Sequence, residues 1–522
     1  MNSPGDNILQ HVQKAPMAIA LPAMATGILL ADTINIPLWG AMLFLVASLV
    51  TVWLWRHPLP ILLFIIATGA TSLCLRRSCE NIPTHHTEME IRLKQLIAED
   101  DDSRIFLADI VAYNKNGKSQ NSSSSIRAIT SLDTACSAGE RLVVNASVHR
   151  HNPTTDFGEY MSNKGITGYV RITPDNILRR QNDFSLGIWL QEKAKQRINQ
   201  LNLSPSTKSI ATAISIGQRS QIPHTQRSHY TRSGSAHLLA ISGLHVGFVF
   251  IFISLLLTPL AALGHGTLWR MLLCIIFIWC YAAIAAFSPS VVRAATMFTL
   301  FLLTFFISSR SLAFNSLCAT ASLMLLWDGR ILYDIGFLLS CIAVMAIVEW
   351  AAPISRCFKT SDKEKLNRLR YMLQHPIQGR IKQLGRGIGR WIFTGTIVSF
   401  VANITTLPLV SLHFGEVSLW GIIVGFTMVA LCSVAVTTML TWALIPVPFL
   451  APLVEFIVEN SVGAMNAIAE WCASGESLLS FTLQLEKWSC ILIYVAFLLL
   501  TLIFWSFSQK NHNHNTKQNL YK

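Results

Sequence analysis

Between Met271 and Ser309 a single charged residue, Arg293, interrupts a stretch otherwise built from apolar and small polar side chains. Water-facing side chains cannot cover such a run. It is the length and chemistry that hydrocarbon demands, because a helix needs about 20 apolar residues to cross a bilayer. Comparable runs recur near Ala15–Ala31, Pro37–Trp55 and Pro58–Leu75, then near His237–Leu263, Met271–Phe287, Pro289–Ile307, Leu312–Trp327 and Ile331–Val348. Four more follow near Trp391–His413, Val417–Ile445, Phe449–Ala473 and Trp488–Phe507; the third of these carries Glu455, Glu459 and Glu470 and is the weakest candidate to cross. Only 13% of the 522 residues are charged, while 52% are hydrophobic. A soluble domain carries about 25% charged residues. A soluble enzyme is therefore excluded, and the predicted fold is an α-helical polytopic membrane protein with about 11–12 membrane segments.

The segment from Arg76 to Arg232 holds no run long enough to cross. Ser103–Tyr113, Ser125–Ala135, Glu140–His149 and Gly165–Thr173 are rich in Val, Ile, Phe and Tyr and are separated by turn signals such as Asn116-Gly117, which predicts short strands. A small inserted β-barrel of OB-like type is the expectation, with another small β-sandwich equally consistent with the periodicity. Glu88–Ile97 and Ile188–Leu201 read as amphipathic helices flanking it. The predicted domains are 1–79 (three membrane helices), 80–180 (OB-like β domain), 181–236 (linker helices), 237–509 (second membrane domain, with the basic loop 355–390) and 510–522 (basic tail).

Charge fixes the expected orientation. The loop Ser355–Arg390 carries ten Lys or Arg against Asp362 and Glu364, a net of +8. Loops of that kind stay cytoplasmic. Counting spans back from it places residues 80–232 outside and the N-terminus inside the cytoplasmic membrane. The tail is inside if Phe449–Ala473 crosses and outside if it lies along the interface. Between Arg141 and Arg232 thirteen bases face five acids, against a net of +13 for the whole chain. This basic half is either a funnel for an anion or ordinary solvated loop. Gly385, Gly387 and Gly389 beside Arg386 and Arg390 read as a flexible basic loop, and no Gly-x4-Gly-Lys-Ser/Thr phosphate loop occurs.

The string His237-Leu-Leu-Ala-Ile-Ser-Gly-Leu-His-Val-Gly247 opens an apolar helix with two imidazoles and a Ser242-Gly243 pair, a weak point where backbone groups can face a cavity. It strongly resembles the signature of the ComEC competence family, inner-membrane channel proteins that internalise single-stranded transforming DNA. Arg293 in Ser290-Val-Val-Arg-Ala-Ala-Thr-Met297, Asp334-Ile-Gly-Phe-Leu-Leu-Ser340, Thr405-Thr-Leu-Pro-Leu409 with His413-Phe-Gly415, and Asn152-Pro153 with Phe157, Tyr160 and Gly165-Ile166 resemble further family blocks. Gln218, Leu338, Gly425 and Ala430 depart from the family pattern. Many members continue into a metallo-β-lactamase-like domain; no His-x-His-x-Asp-His cluster occurs here, so a nuclease is expected to be a separate protein.

The resemblance implies a passage for single-stranded DNA with His237, Ser242, Gly243, His245, Arg293, Asp334, Thr405 and Pro408 as pore candidates. It implies DNA binding by the β domain, with Arg150, Phe157, Tyr160, Lys164 and Arg171 as candidates. Phe106 and Tyr113 suit either base stacking or a core. Arg293 and His245 are expected to relieve phosphate desolvation, and Ser242-Gly243 to allow close backbone approach. An Arg293–Asp334 structural ion pair is the alternative. No catalytic residue, metal or cofactor is expected; His237 and His245 diverge too far for a metal. Cys79 and Cys136 are a candidate disulfide. Importing one negative charge against an inside-negative potential costs about 2.3 kcal/mol per 100 mV. A passive pore therefore implies partners: a DNA receptor, a cytoplasmic helicase-type ATPase and a separate nuclease, with homo-oligomerisation open. The competing reading is a secondary transporter of a small anionic metabolite, and a membrane hydrolase built on Ser242 and His245 lacks an acid.

Overall fold

The computed structural model describes residues 16–55, 57–78, 85–99, 102–115, 118–122, 124–134, 136–152, 155–163, 165–262, 264–307, 313–351, 354, 376–474 and 479–501. The chain divides into two units. The first comprises residues 1–226, 237–338 and 431–465, and the second residues 227–236, 339–430 and 466–522.

The first unit opens with three apolar helices, α1 (Met17–Thr33), α2 (Leu38–Leu54) and α3 (Pro58–Ser78). Helices α1 and α3 touch backbone to backbone. A Cβ at Gly27 would lie 1.9 Å from the Ile66 carbonyl oxygen, and one at Gly69 would lie 2.3 Å from that of Met24. Glycine is what permits this approach, the usual way apolar helices gain contact where lipid offers no hydrophobic drive.

The β region follows: β1 (Thr87–Glu99), β2 (Ser103–Lys115), β3 (Lys118–Asn121), β4 (Ser125–Ser131), β5 (Glu140–Ala146), β6 (His149–Arg150), helix α4 (Asp156–Asn163), β7 (Ile166–Ile172) and β8 (Ile177–Asn182). Glu88–Ile97, expected as a helix, is instead the first strand. Met89, Ile91 and Leu93 are buried at every second position, and pairing to both β2 and β5 decides between two periods that the short sequence fits equally. The hydrogen-bonded order is β6-β7-β4-β2-β1-β5-β8, with β3 beside β2. All pairs are antiparallel except β4 with β7. This path runs from edge to edge without closing, so a separate β region is present but not a closed barrel. Its single core contains Ile91, Leu93, Phe106, Ile110, Tyr113, Ile126, Leu142, Val144 and Val170. Phe106 and Tyr113 are thereby core residues, not stacking platforms.

Beyond the β region the first unit contains α5 (Leu186–Asn199), α6 (Pro205–Ile216), the start of α7 (His224–Arg232), α8 (Gly243–Leu256), α9 (Gly266–Ile284), α10 (Pro289–Ile307), α11 (Ala313–Trp327), a 3-10 turn (Gly329–Tyr333) and the start of α12 (Ile335–Ala346). The second unit holds the rest of α12, α13 (Pro376–Phe414), β9 (Glu416–Ser418), the first part of α14 (Trp420–Leu444), β10 (Ser480–Thr482) and α16 (Lys487–Thr501); α15 (Ala451–Ser474) begins in the first unit and ends in the second. Two of the three acids that made Phe449–Ala473 the weakest span, Glu455 and Glu459, have partners in the first unit. Glu459 accepts from Ser204 N, Ser204 Oγ and Thr207 Oγ1, and Glu455 accepts from Asn202 N. They stand at the N-terminal end of α6, where unpaired amides and the helix dipole favour negative charge.

Among the described residues, four helices are long and apolar enough to cross a bilayer: Pro58–Arg77, Gly266–Ile284, Leu384–Phe414 and Trp420–Leu444. Seven further apolar helices among the described residues are shorter. The basic loop expected over Ser355–Arg390 lies partly outside the described residues. Its C-terminal part is not a loop, because α13 runs unbroken from Pro376 through Gly385, Gly387 and Gly389. No Cβ built at those glycines would touch anything.

Candidate functional site

The solvent face of the β region carries one concentrated feature. Alternation along β7 buries Ile166, Val170 and Ile172 and turns Tyr169 and Arg171 outward; alternation along β4 buries Ile126 and Ala128 and turns Arg127 outward. The register then sets Arg127 opposite Tyr169, and Tyr169 opposite His149. Three strands thus place Arg127, Tyr169 and His149 in one row. Strand β6 reaches β7 because residue 168 is glycine: a Cβ there would lie 2.5 Å from the His149 carbonyl oxygen.

Rings assemble on this row. His149 stacks on Tyr169 with centroids 5.3 Å apart, and His151 lies 5.6 Å from Tyr169. His151 also meets Phe157 edge-on at 5.4 Å, and the Arg127 guanidinium lies 5.4 Å above the Phe157 ring. Such cation–ring contacts contribute about 0.5–1 kcal/mol when exposed. Phe157 remains 50% exposed and Tyr160 37%. Arg150 and Arg171 are exposed, with no carboxylate partner among the described residues. Of the sequence candidates, Phe157 and Arg171 therefore stand on this face; Arg150 is exposed at the alternate position of β6, opposite Gly168, Tyr160 is exposed on the same helix as Phe157, and Lys164 lies outside the described residues. Arg127, His149, His151 and Tyr169 complete the face. Their outward positions follow from strand alternation, but only the parallel β4–β7 register brings them together.

Burial, then the charge of Arg127, holds the His151 imidazolium below its usual range. The unfolded chain therefore binds this proton more readily than the folded one. Stability is greatest above the unfolded value of about 6.5 and falls as pH drops below it. Proteolysis of the full-length protein within residues 140–180 is expected to accelerate from pH 7.5 to 5.5, and His151→Gln to flatten that dependence.

In the membrane part, Ser242 and His245 form the N-terminal cap of α8. Ser242 N donates to His245 Nδ1 at 3.1 Å, and the Ser242 hydroxyl lies 2.9 Å from the same atom. His245 Nε2 lies 3.3 Å from Cys432 Sγ, and the residue is 0% exposed. The expectation that His245 lines a wet route is not met in this conformation, because both ring nitrogens are engaged inside the protein. The helix also begins at Gly243 instead of His237, which is exposed in a preceding 3-10 turn. Gly243 and Gly247, one turn apart, face α10: a Cβ at Gly243 would lie 3.3 Å from Ala294 Cβ, and one at Gly247 3.6 Å from Phe298 Cζ. The close approach at Ser242-Gly243 is thus made by a neighbouring helix, next to Arg293.

Arg293 and Asp334 come together. Arg293 Nη1 donates to Asp334 Oδ2 at 3.2 Å, with side chains 11% and 22% exposed. Asp334 also caps α12, accepting from Gly336 N at 3.2 Å through Oδ1. A Cβ at Gly336 would sit 3.4 Å from Arg293 Nη2, so the Asp-Ile-Gly sequence supplies both the cap and room for the guanidinium. The ion pair held open as the alternative in the sequence is therefore the arrangement observed.

Thr405 and Pro408 lie on α13 in the second unit and are buried. Pro408 removes the donor that the Ile404 carbonyl would receive. Tyr494 OH donates to the Thr405 carbonyl at 3.0 Å. Cys136 is buried and Cys79 lies outside the described residues, so their pairing is not described. No group of three or more metal-ligating side chains occurs among the described residues.

Apolar helices joined to a separate β region with a cationic, ring-lined outer face define a helical membrane protein with an inserted β domain. More narrowly, the chain belongs to the competence protein family, whose family model matches residues 214–509. ComE operon protein 3 of Bacillus subtilis (strain 168) is 25% identical over 274 residues, covering 52% of this chain and 31% of the relative. Recombination protein 2 of Haemophilus influenzae is 24% identical over 257 residues, covering 46% and 31%. An uncharacterized protein of Aquifex aeolicus (strain VF5) is 29% identical over 162 residues, covering 31% and 36%. The chain thus spans about a third of the length of these curated relatives. No solved structure matches it.

Proposed function

We propose that this chain forms the passage for single-stranded DNA through the cytoplasmic membrane during natural transformation. The observation that carries the reading is the face made by Arg127, His149, His151, Phe157 and Tyr169. Unpaired bases stack on rings while cations track the phosphates, which is the combination single-strand binders use. Membership of the competence family supports the same direction. In this reading residues 80–232 are extracytoplasmic, and the β region within them is a partly open barrel of OB type. Three features support that: β1 pairs with both β2 and β5, β4 runs parallel to β7, and β5 approaches β7 over the common core.

The Arg293–Asp334 pair is the resting state of the route. A phosphate presents paired oxygens much as a carboxylate does, so an incoming strand competes with Asp334 for the guanidinium. Desolvation at that point is lowered because the charge on the wall is already present and exchangeable. The potential opposes entry, so a separate ATPase pulls the strand and a separate receptor and nuclease prepare it.

A strain lacking the chain, given labelled duplex DNA, should bind DNA normally yet hold none in nuclease-resistant form in the cytoplasm. Normal internalisation in that strain would remove the proposed function, and loss of a small anion's uptake instead would favour the transporter reading.

A further inference from the structure

The turn Gly329–Tyr333 links the β region to the ion pair. Asp328 caps it, accepting from Arg330 N at 3.0 Å, and grips the Arg330 side chain through two bonds, Nε to Oδ1 at 3.0 Å and Nη2 to Oδ2 at 2.8 Å. This parallel fork fixes the guanidinium plane. The turn is anchored beneath. A Cβ at Gly329 would lie 2.9 Å from Leu73 N of α3, and Tyr333 OH donates to Asp32 at 2.7 Å at the end of α1.

The β region rests on the same guanidinium. Helix α4 ends where Gly165 N donates to Ser162 O at 2.8 Å, and Gly165 has φ of +70°. A Cβ at Gly165 would lie 3.1 Å from Arg330 Cζ. Helix α4 also packs against the turn itself. That helix carries Phe157 from the ring-lined face, and the turn leads directly into Asp334, which holds Arg293. A contact chain therefore runs from the binding face through Gly165 and Arg330 to the ion pair.

We propose that Arg330 is a positioning residue that couples occupancy of the ring-lined face to the Arg293–Asp334 pair. A strand stacked on Phe157 shifts α4, Gly165 bears on the locked guanidinium, and the turn passes the displacement to Asp334. The inference rests on the proposed DNA passage for its purpose but not for its physical content. Lysine cannot replace Arg330, since an ammonium lacks the planar fork that Asp328 grips.

The test uses the full chain in lipid nanodiscs with a single-stranded oligonucleotide as probe. Amide exchange at Ile335–Leu338 is measured with and without the probe, alongside probe affinity. In the unaltered protein the probe is expected to raise exchange there at least threefold. Arg330→Gln and Arg330→Lys should keep affinity within twofold and abolish that response, and Gly165→Ala, altering the other side of the contact, should do the same. A probe that binds without changing exchange at Ile335–Leu338 would overturn the coupling, as would a full response in Arg330→Gln. Failure of the passage itself shows separately, as bound probe and an intact exchange response in nanodiscs while liposomes holding the same protein admit no strand.

Discussion

Asp334→Ala is expected to abolish DNA uptake and to lower the stability of the membrane part by about 3 kcal/mol, the low end of the cost of leaving one member of a buried ion pair alone, because the two side chains keep 11% and 22% exposure. Loss of the cap adds about 1 kcal/mol, since the carboxylate also receives Gly336 N at the start of α12. The two roles separate by substitution. Asp334→Asn keeps an acceptor for the cap but removes the charge, so it should insert better than Asp334→Ala while still weakening the hold on Arg293. Arg293→Ala leaves a carboxylate at the positive end of a helix, an environment that tolerates it. That variant should reach the membrane in near-normal amount, yet take up no DNA. Arg293→Lys, a point charge without the fork, should fall about tenfold. Membrane abundance by immunoblot and uptake by nuclease protection distinguish these cases. Wild-type uptake by Arg293→Ala would reduce the pair to scaffold.

The second large effect concerns the ring-lined face. Each base stacked on an aromatic side chain contributes about 1–3 kcal/mol. Removing both Phe157 and Tyr169 as alanines should therefore weaken oligonucleotide binding by a factor of about 30 to 20,000. The salt dependence should stay almost unchanged, because no phosphate contact is lost. Replacing Arg150 and Arg171 by Gln should behave in the opposite way, with a modest loss of affinity but a slope against log salt shallower by about 0.7 per charge. Titrations of the protein between about 50 and about 500 mM salt, about one decade, read both quantities. Duplex DNA of equal length should bind weakly throughout, since its bases are already stacked on each other.

Much of this was legible in the sequence, and the reasons are local. Runs such as Pro58–Leu75 and Met271–Phe287 define helices because few charges interrupt them. Strands β2, β5 and β7 appear where alternation and turn signals coincide. What failed did so where tertiary pairing decides. Glu88–Ile97 fits two periods, and only its neighbours on both sides make it a strand. Gly385, Gly387 and Gly389 weaken a helix by about 1 kcal/mol each, yet α13 continues through them into its apolar stretch. Sequence placed Ser242 and His245 one turn apart but could not show that the pair closes a helix cap. Arg127 and Tyr169 stand 42 positions apart in the chain and meet only through the parallel β4–β7 register. Arg293 and Asp334, by contrast, stood out as charges in apolar surroundings, and the structure unites them.

In the proposed function the chain itself conducts a single DNA strand through lipid. Purified protein reconstituted in liposomes with an inside-positive potential gives the direct measurement. The potential then favours entry by about 2.3 kcal/mol per phosphate per 100 mV and replaces the missing motor. Labelled single strands should become nuclease-resistant inside the vesicles, duplex of the same length should not, and Arg293→Ala should stop the entry. Correctly inserted protein that admits no strand under this drive, or admits duplex equally well, would contradict the account.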